Sequence, residues 1–211
     1  HLPKGPFVLI ANHSCYLDPA YLMASMFRPV RYLVTAQVYR NKLLRFLLNQ
    51  GQMIPVRRYR VDALASRRLL EWLGRGQIVG VFPEGERSPL GQYQGALPGA
   101  AKMLAHLQVP VIPAGIIGSY EAGPRWSDAL RRRPITVRFG KPLEFSGDPK
   151  KVIDNAILEL LNSYKPAVHI NGLQLEKLSR VLWACPQCLS EKDWRPAAMT
   201  CLHCGARFEN T

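Results

Sequence analysis

Residues 77–88 read QIVGVFPEGERS, and the fold is decided there. Gln77–Phe82 is a short run of strand-forming apolar residues, as expected of a buried strand. It leads straight into Pro83-Glu84-Gly85, a turn sequence. Upstream, Val61–Leu73 carries Leu64, Leu69, Leu70 and Leu73 at helical spacing, and Met53–Val56 reads as a short strand. Downstream, residues 84–97 are rich in Gly, Pro and Gln and predict a long loop. A helix over Gly99–Leu107, strands over Val111–Ile117 and Ile135–Phe139, and a last helix over Pro149–Ser163 follow.

Towards the N-terminus, Pro6–Ala11 (PFVLIA) and Arg31–Ala36 read as strands. Asp18-Pro19 reads as a helix start, Asp18 as N-cap and Pro19 at the first helical position, with the helix over 19–27. Val38–Asn49 is a helix candidate that ends before Gly51. Strands alternating with helical segments give an α/β domain, a mostly parallel sheet flanked by helices. Its expected extent is residues 1–165. A linker with a short helix (Leu173–Val181) is expected over 166–182, and a small module over 183–211. The chain begins at His1 almost directly before a strand, which suggests a preceding segment that could hold an anchor.

The 211 residues are 47% apolar and 20% charged, ordinary values for a folded chain. No apolar stretch approaches the roughly 18 residues of a membrane-spanning helix. The net charge of +13 attracts polyanions such as phosphorylated substrates, anionic lipid or nucleic acid, and does not choose among them. Much of it reads equally well as a solvated arginine-rich surface.

Asn12-His13-Ser14-Cys15-Tyr16-Leu17-Asp18 follows the first strand. Taking a proton from an attacking group needs a base with a pKa near neutrality, which histidine supplies, and a carboxylate can orient its ring. Alone the pair is a weak signal, because Asp18 is equally explained as a helix cap. Cys15 reads as a small buried apolar group rather than a nucleophile. In the turn after Gln77–Phe82, Gly85 lets backbone approach a ligand, and Arg87 can grip phosphate oxygens in a fork; a surface ion pair with Glu86 is the plainer alternative for Arg87. Glu84 either binds an acceptor hydroxyl or braces the loop.

The ordered blocks resemble the glycerolipid acyltransferases typified by 1-acylglycerol-3-phosphate (lysophosphatidate) acyltransferase. Asn12, His13 and Asp18 match the Asn-His-x4-Asp block. Residues 51–58, Gly-Gln-Met-Ile-Pro-Val-Arg-Arg, match a second block. Phe82-Pro83-Glu84-Gly85-Glu86-Arg87-Ser88 matches Phe-Pro-Glu-Gly-Thr-Arg-Ser, and Val111-Ile112-Pro113-Ala114-Gly115 the fourth. The resemblance covers about residues 5–145. It implies a glycerol-3-phosphate acyltransferase-like fold and transfer of an acyl chain from acyl-CoA or acyl-carrier protein to a lipid hydroxyl in phospholipid biosynthesis. It further implies direct attack, with no covalent acyl-enzyme and no catalytic metal. His13 would be the general base oriented by Asp18. Arg57, Arg58, Glu84, Gly85 and Arg87 would bind substrate. Pro113, bending the chain after its strand, would shape the donor site.

Three departures bear on the acceptor. Thr35 and Leu97 stand where many members carry Lys, and Glu86 replaces the usual Thr. Arg57 is an extra cation that can compensate. The first expectation is a lysophosphatidate-like acceptor; another lyso-lipid or alcohol, or an inactive lipid-binding relative, are the alternatives.

Near the end, Cys185-Pro186-Gln187-Cys188 and Cys201-Leu202-His203-Cys204 resemble the two knuckles of a zinc ribbon. Their four thiolates would close a tetrahedral structural site with no open position, with iron the other candidate. His203 reads as a bystander. The module could bind a protein partner or cover the main domain. A basic chain with such a module is also compatible with nucleic acid, a reading that leaves the four blocks unexplained. Residues 38–50 combine leucines and a phenylalanine with Arg40, Lys42 and Arg45, and suit a membrane surface or, preferably, a helix covering the sheet. A lipid acceptor calls for peripheral association with the cytoplasmic face of a membrane.

Overall fold

The computed structural model describes residues 2–35, 45–46, 53–56, 63–127, 130–165, 184–185, 187–188 and 190–207. Six strands form one sheet: β1 (Val8–Ala11), β2 (Val30–Thr35), β3 (Ile54–Val56), β4 (Ile78–Val81), β5 (Val111–Ile117) and β6 (Thr136–Phe139), in the spatial order β3-β2-β4-β1-β5-β6. All neighbours are parallel except β5 and β6, which pair antiparallel. Among the described residues the helices are α1 (Asp18–Met26), α2 (Ala63–Gly74), α3 (Pro98–Ala105), α4 (Ser119–Ala122) and α5 (Pro149–Leu161). Of the expected helix at 38–49, only Arg45 and Phe46 are described, both helical and exposed; the expected helix at Leu173–Val181 lies outside the described residues.

Strand alternation splits the core in two. Val8 and Ile10 of β1, with Val79 and Val81 of β4, face α2, α3 and α5 through Leu69, Leu73, Leu104, Ile153, Ile157 and Leu161. Leu9 and Ala11 point the other way, to Leu22 of α1, Tyr32 and Ile112. The apolar residues of α5 recur at Ile153, Ile157 and Leu161, a single stripe. Burying each contributes about 1.5–3 kcal/mol. Asp148 caps this helix by accepting the Lys150 N–H at 2.9 Å, ahead of Pro149.

Topology positions the site. From β1 the chain crosses to β2 through α1 on one face; from β4 it crosses to β5 through α3 on the opposite face. The connections leaving adjacent strands β1 and β4 therefore diverge, opening a crevice at their C-terminal ends. Ile10 lies opposite Val81, so the two motifs that follow these strands emerge side by side.

Two expectations are corrected. Pro113 sits inside β5, opposite Ile10, rather than bending the chain after it. Its carbonyl accepts the Gly140 N–H at 2.8 Å, and the ladder with β6 begins only at Ala114. The missing N–H thus falls on the side where no strand partner needs it. Asp18 is the first helical residue of α1 rather than its N-cap, which is Leu17.

Candidate active site

The polypeptide after β1 is pinned before it reaches His13. The Asn12 side chain, buried, donates to the Ile116 carbonyl at 2.9 Å and accepts the Ile116 N–H at 2.7 Å. An amide with both ends on the backbone of one residue, Ile116, extends the β1–β5 ladder by a side chain. His13 then lies beside Asp18, Nδ1 to Oδ2 at 2.8 Å, with the imidazole about one-fifth exposed (18%) and the carboxylate fully buried (0%). The same Oδ2 accepts the N–H groups of Ser14 at 2.7 Å and Cys15 at 2.8 Å. The carboxylate that sequence reasoning offered to the helix is spent backwards, on the His13 turn. Asp18 Oδ1 is buried and has no hydrogen-bond partner among the described residues.

Phe82 fixes the other side of the imidazole, stacked with ring centroids 4.0 Å apart and planes 15° apart. Tyr32 stacks behind Phe82 at 5.7 Å. Tyr32 itself lies over Gly80, where a Cβ would come within 2.1 Å of its ring. A glycine interrupts the apolar run of β4 because this aromatic ring fills the place of its side chain.

Glu84 braces the turn. Its two carboxyl oxygens accept the His13 N–H at 2.7 Å and the Gln94 N–H at 2.9 Å. Burial pushes its pKa up to about 8, against the pull of these two donors. Gly85 adopts φ +77°, the left-handed region a glycine occupies without strain. The His13 carbonyl accepts the Ser88 N–H at 2.7 Å, so the histidine backbone is held through both its N–H and its C=O by the loop after β4. That loop is anchored to α5: Asp154 accepts the Ala96 N–H at 2.7 Å and the Tyr93 hydroxyl at 2.9 Å, and pairs with Lys150. Burial opposes Asp154's charge, but these three donors together hold its pKa below the usual value.

Arg87 lies flat on Tyr16, its guanidinium carbon 3.4 Å from the ring centroid. Its Nη1 is buried with no hydrogen-bond partner among the described residues, and burial lowers its pKa. Glu86 does not pair with it; Arg125 takes Glu86 Oε2 at 3.1 Å and the Arg87 carbonyl at 3.1 Å. Cys15 is fully buried, its sulfur accepts the Leu17 N–H at 3.4 Å, and burial raises its pKa. A protonated, enclosed thiol is a poor nucleophile.

His13, Asp18, Glu84, Gly85 and Arg87 thus gather in one crevice. Pro113 lies in the sheet beneath, and Arg57 and Arg58 fall outside the described residues. Asn12, Tyr16, Phe82 and Arg125 complete the surroundings. Asn12 and Phe82 stood inside the motifs; nothing in local spacing marks Arg125, 38 residues beyond Arg87.

A second site lies in the C-terminal residues. The sulfurs of Cys185, Cys188, Cys201 and Cys204 all fall within 4.8 Å of one another. Two of the separations are 3.8 Å and 3.7 Å, close to the edge of about 3.8 Å for a tetrahedron with metal–sulfur bonds of about 2.3 Å. These residues could hold a metal. The strands β7 (Trp194–Arg195) and β8 (Thr200–Cys201) form a hairpin beside them. His203 faces Asp193 at 3.8 Å and stands outside the cluster.

The chain as a whole is similar to known proteins. The chain is 27% identical over 150 residues to the 1-acyl-sn-glycerol-3-phosphate acyltransferase BAT2, chloroplastic, of Brassica napus, covering 68% of this chain and 43% of that one. It thus spans less than half the length of that relative. To the 1-acyl-sn-glycerol-3-phosphate acyltransferase of Bacillus subtilis it is 24% identical over 164 residues, covering 74% of this chain and 77% of the other. The crystal structure of the 1-acyl-sn-glycerophosphate (LPA) acyltransferase PlsC from Thermotoga maritima shares the fold, with TM-score 0.64 and 21% identity over 79% of this chain and 70% of that one. The pattern of the Acyltransferase family matches residues 1–117, more than half of the 211, and the chain belongs to that family.

Proposed function

We propose that this protein transfers an acyl group from an acyl thioester, acyl-CoA or acyl-carrier protein, to the free hydroxyl of a lysophosphatidate-like lipid in phospholipid biosynthesis. The observation that carries the reading is the His13–Asp18 pair at 2.8 Å, set in the crevice formed by β1 and β4. A buried carboxylate that already accepts two backbone N–H groups favours the tautomer with the proton on Nδ1, leaving Nε2 as base. Nε2 takes the proton of the acceptor hydroxyl as its oxygen attacks the thioester carbonyl. The tetrahedral intermediate collapses, the carbon–sulfur bond breaks, and the thiolate leaves with the proton from the imidazolium. Asp18 stabilises the transient imidazolium and Phe82 keeps the ring in register.

Arg87 carries charge without a carboxylate partner and suits the acceptor's phosphate. Arg57 and Arg58 are proposed as further phosphate ligands, and Pro113 as part of the floor of the donor site. The names of the relatives, which act on 1-acyl-sn-glycerol-3-phosphate, support this acceptor over another lyso-lipid or alcohol. The acceptor lives in a bilayer, so the chain works peripherally, at the cytoplasmic face. No helix among the described residues is long and apolar enough to cross a membrane. Tyr16, Leu90 and Leu97 are exposed on or beside the loops that carry the site, a surface suited to lipid.

The four cysteines are proposed to hold a structural zinc. Among the described residues the module's buried core is Cys185, Trp194 and Cys201, too little to fold without a metal. We treat residues 1–165 as the acyltransferase domain and 183–211 as the zinc module, joined by 166–182 and available to a protein partner.

The test is CoA release by purified protein against a panel of lyso-lipids in mixed micelles. Turnover on lysophosphatidate is expected to exceed that on neutral or zwitterionic acceptors. No turnover on any phosphorylated acceptor would overturn the choice of substrate.

A further inference from the structure

The charges around Arg87 do not balance in the ordinary way. Its guanidinium is sandwiched against Tyr16 and leaves Nη1 buried and unpartnered among the described residues. The adjacent carboxylate, Glu86, is engaged by Arg125 instead. Both hydrogen bonds of Arg125 leave from Nη1, one to Glu86 and one to the Arg87 carbonyl. Its Nη2 and Nε donors have no partner among the described residues, and the pair is about one-third exposed (36% and 37%). Two guanidinium groups thus face one carboxylate.

A phosphomonoester carries about −1.5 to −2 near neutral pH, more than Arg87 alone offsets. We propose that Arg125 is a further contact for the acceptor's phosphate, beside Arg87 and in addition to Arg57 and Arg58, held in place by Glu86, and that Glu86 competes for it and so sets the acceptor affinity. The inference rests on the phosphate-bearing acceptor proposed above. Arg125 is well placed for the role. It is tied to the Arg87 backbone, so the two guanidinium groups move as a unit, and its remaining donors form a fork that fits phosphate oxygens. When phosphate arrives, the Glu86 contact is exchanged for it without moving the backbone. The extra negative charge of Glu86 then becomes a tuning element rather than a defect of the site.

A purely structural role for the pair makes a different prediction. If Arg125 and Glu86 only brace the loop, removing either partner harms the site in the same direction. If Arg125 contacts phosphate, the two changes act in opposite directions. The experiment measures KM for lysophosphatidate, KM for the acyl-CoA donor, and turnover of a neutral monoacylglycerol, in wild type, Arg125→Ala and Glu86→Gln. Arg125→Ala is expected to raise the lysophosphatidate KM about tenfold or more, the scale of one charge-assisted hydrogen bond. Glu86→Gln keeps the size of the side chain and removes its charge, and is expected to lower that KM about two- to tenfold. In both variants the change in the lysophosphatidate KM should exceed any change in the donor KM or in the rate on the neutral acceptor, and the two variants should move it in opposite directions. Should Arg125→Ala fail to fold, Glu86→Gln alone decides, since an unchanged or raised lysophosphatidate KM there contradicts the proposal. Wild-type protein without activity on lysophosphatidate would overturn the acceptor assignment and this inference together. Wild-type activity with both variants impaired alike would overturn this inference only.

Discussion

Asp18→Asn isolates the charge of the orienting carboxylate. Oδ2 accepts three N–H groups, from His13 Nδ1, Ser14 and Cys15, at 2.7–2.8 Å. In the variant the amide oxygen must take this position, because an NH2 there would oppose two backbone donors. The NH2 is then forced onto the Oδ1 side, which is buried and has no partner among the described residues. An unsatisfied buried donor costs about 1–3 kcal/mol. For a chain of this size that lowers Tm by about 2–12 °C. The imidazole keeps an acceptor for its Nδ1–H, so its orientation survives, and KM for both substrates should be unchanged. What is lost is the negative charge facing the imidazolium. A charged acceptor exceeds a neutral one by about 1–2 kcal/mol, and the enclosed, low-dielectric position of Asp18 raises that figure. The expected fall in kcat is therefore about 10- to 100-fold. Thermal unfolding and thiol release from acyl-CoA measure the two effects separately. A folded Asp18→Asn protein with kcat within twofold of wild type would refute this account of the pair.

Glu84 gives a pH signature. Its pKa is about 8 in the fold against an ordinary 4.5, so the folded state holds the extra proton between these values and stability declines as pH rises from about 4.5 through about 8. Glu84→Gln should lose that part of the slope in a Tm-against-pH series, at a lower baseline, because its NH2 must face one of the two N–H donors. Purified protein should contain one zinc per chain by elemental analysis. A strong chelator should make residues 184–207 sensitive to protease, and Cys188→Ser with Cys201→Ser should abolish the bound metal. Gly80→Ala puts a Cβ 2.1 Å from the Tyr32 ring, an overpacking worth about 1–3 kcal/mol. Because Tyr32 stacks on Phe82 and Phe82 on His13, Tm and kcat should fall together.

What was legible in the sequence was local. The run Gln77–Phe82 announced a buried strand, and the motifs at 12–18 and 82–88 announced that two loops carry chemistry. Parallel pairing of β1 with β4 brings those loops together, as an alternating α/β chain requires. Less legible were features set by partners distant in sequence. Asn12 makes its bonds to Ile116, 104 residues away. Arg125 and Asp154 reach the site from outside every motif. The role of Asp18 was ambiguous because an aspartate before proline serves a helix cap and a histidine equally well; only the burial and the three donors on Oδ2 separate the two. Pro113 read as a bend because proline disfavours a strand interior, and the sequence does not show where the ladder with β6 begins. The same limit applies to β6 itself, whose antiparallel direction follows from its pairing and not from its residues.

The central claim is that His13 is the base of an acyl transfer, and His13→Ala tests it most directly. Removing the ring leaves Asp18 Oδ2 with the Ser14 and Cys15 donors, so the turn should persist. Release of CoA in the presence of lysophosphatidate is predicted to fall by about 10²- to 10⁴-fold, the contribution of a positioned general base, with the folded state intact by circular dichroism. A folded His13→Ala protein that releases CoA at the wild-type rate would contradict the account.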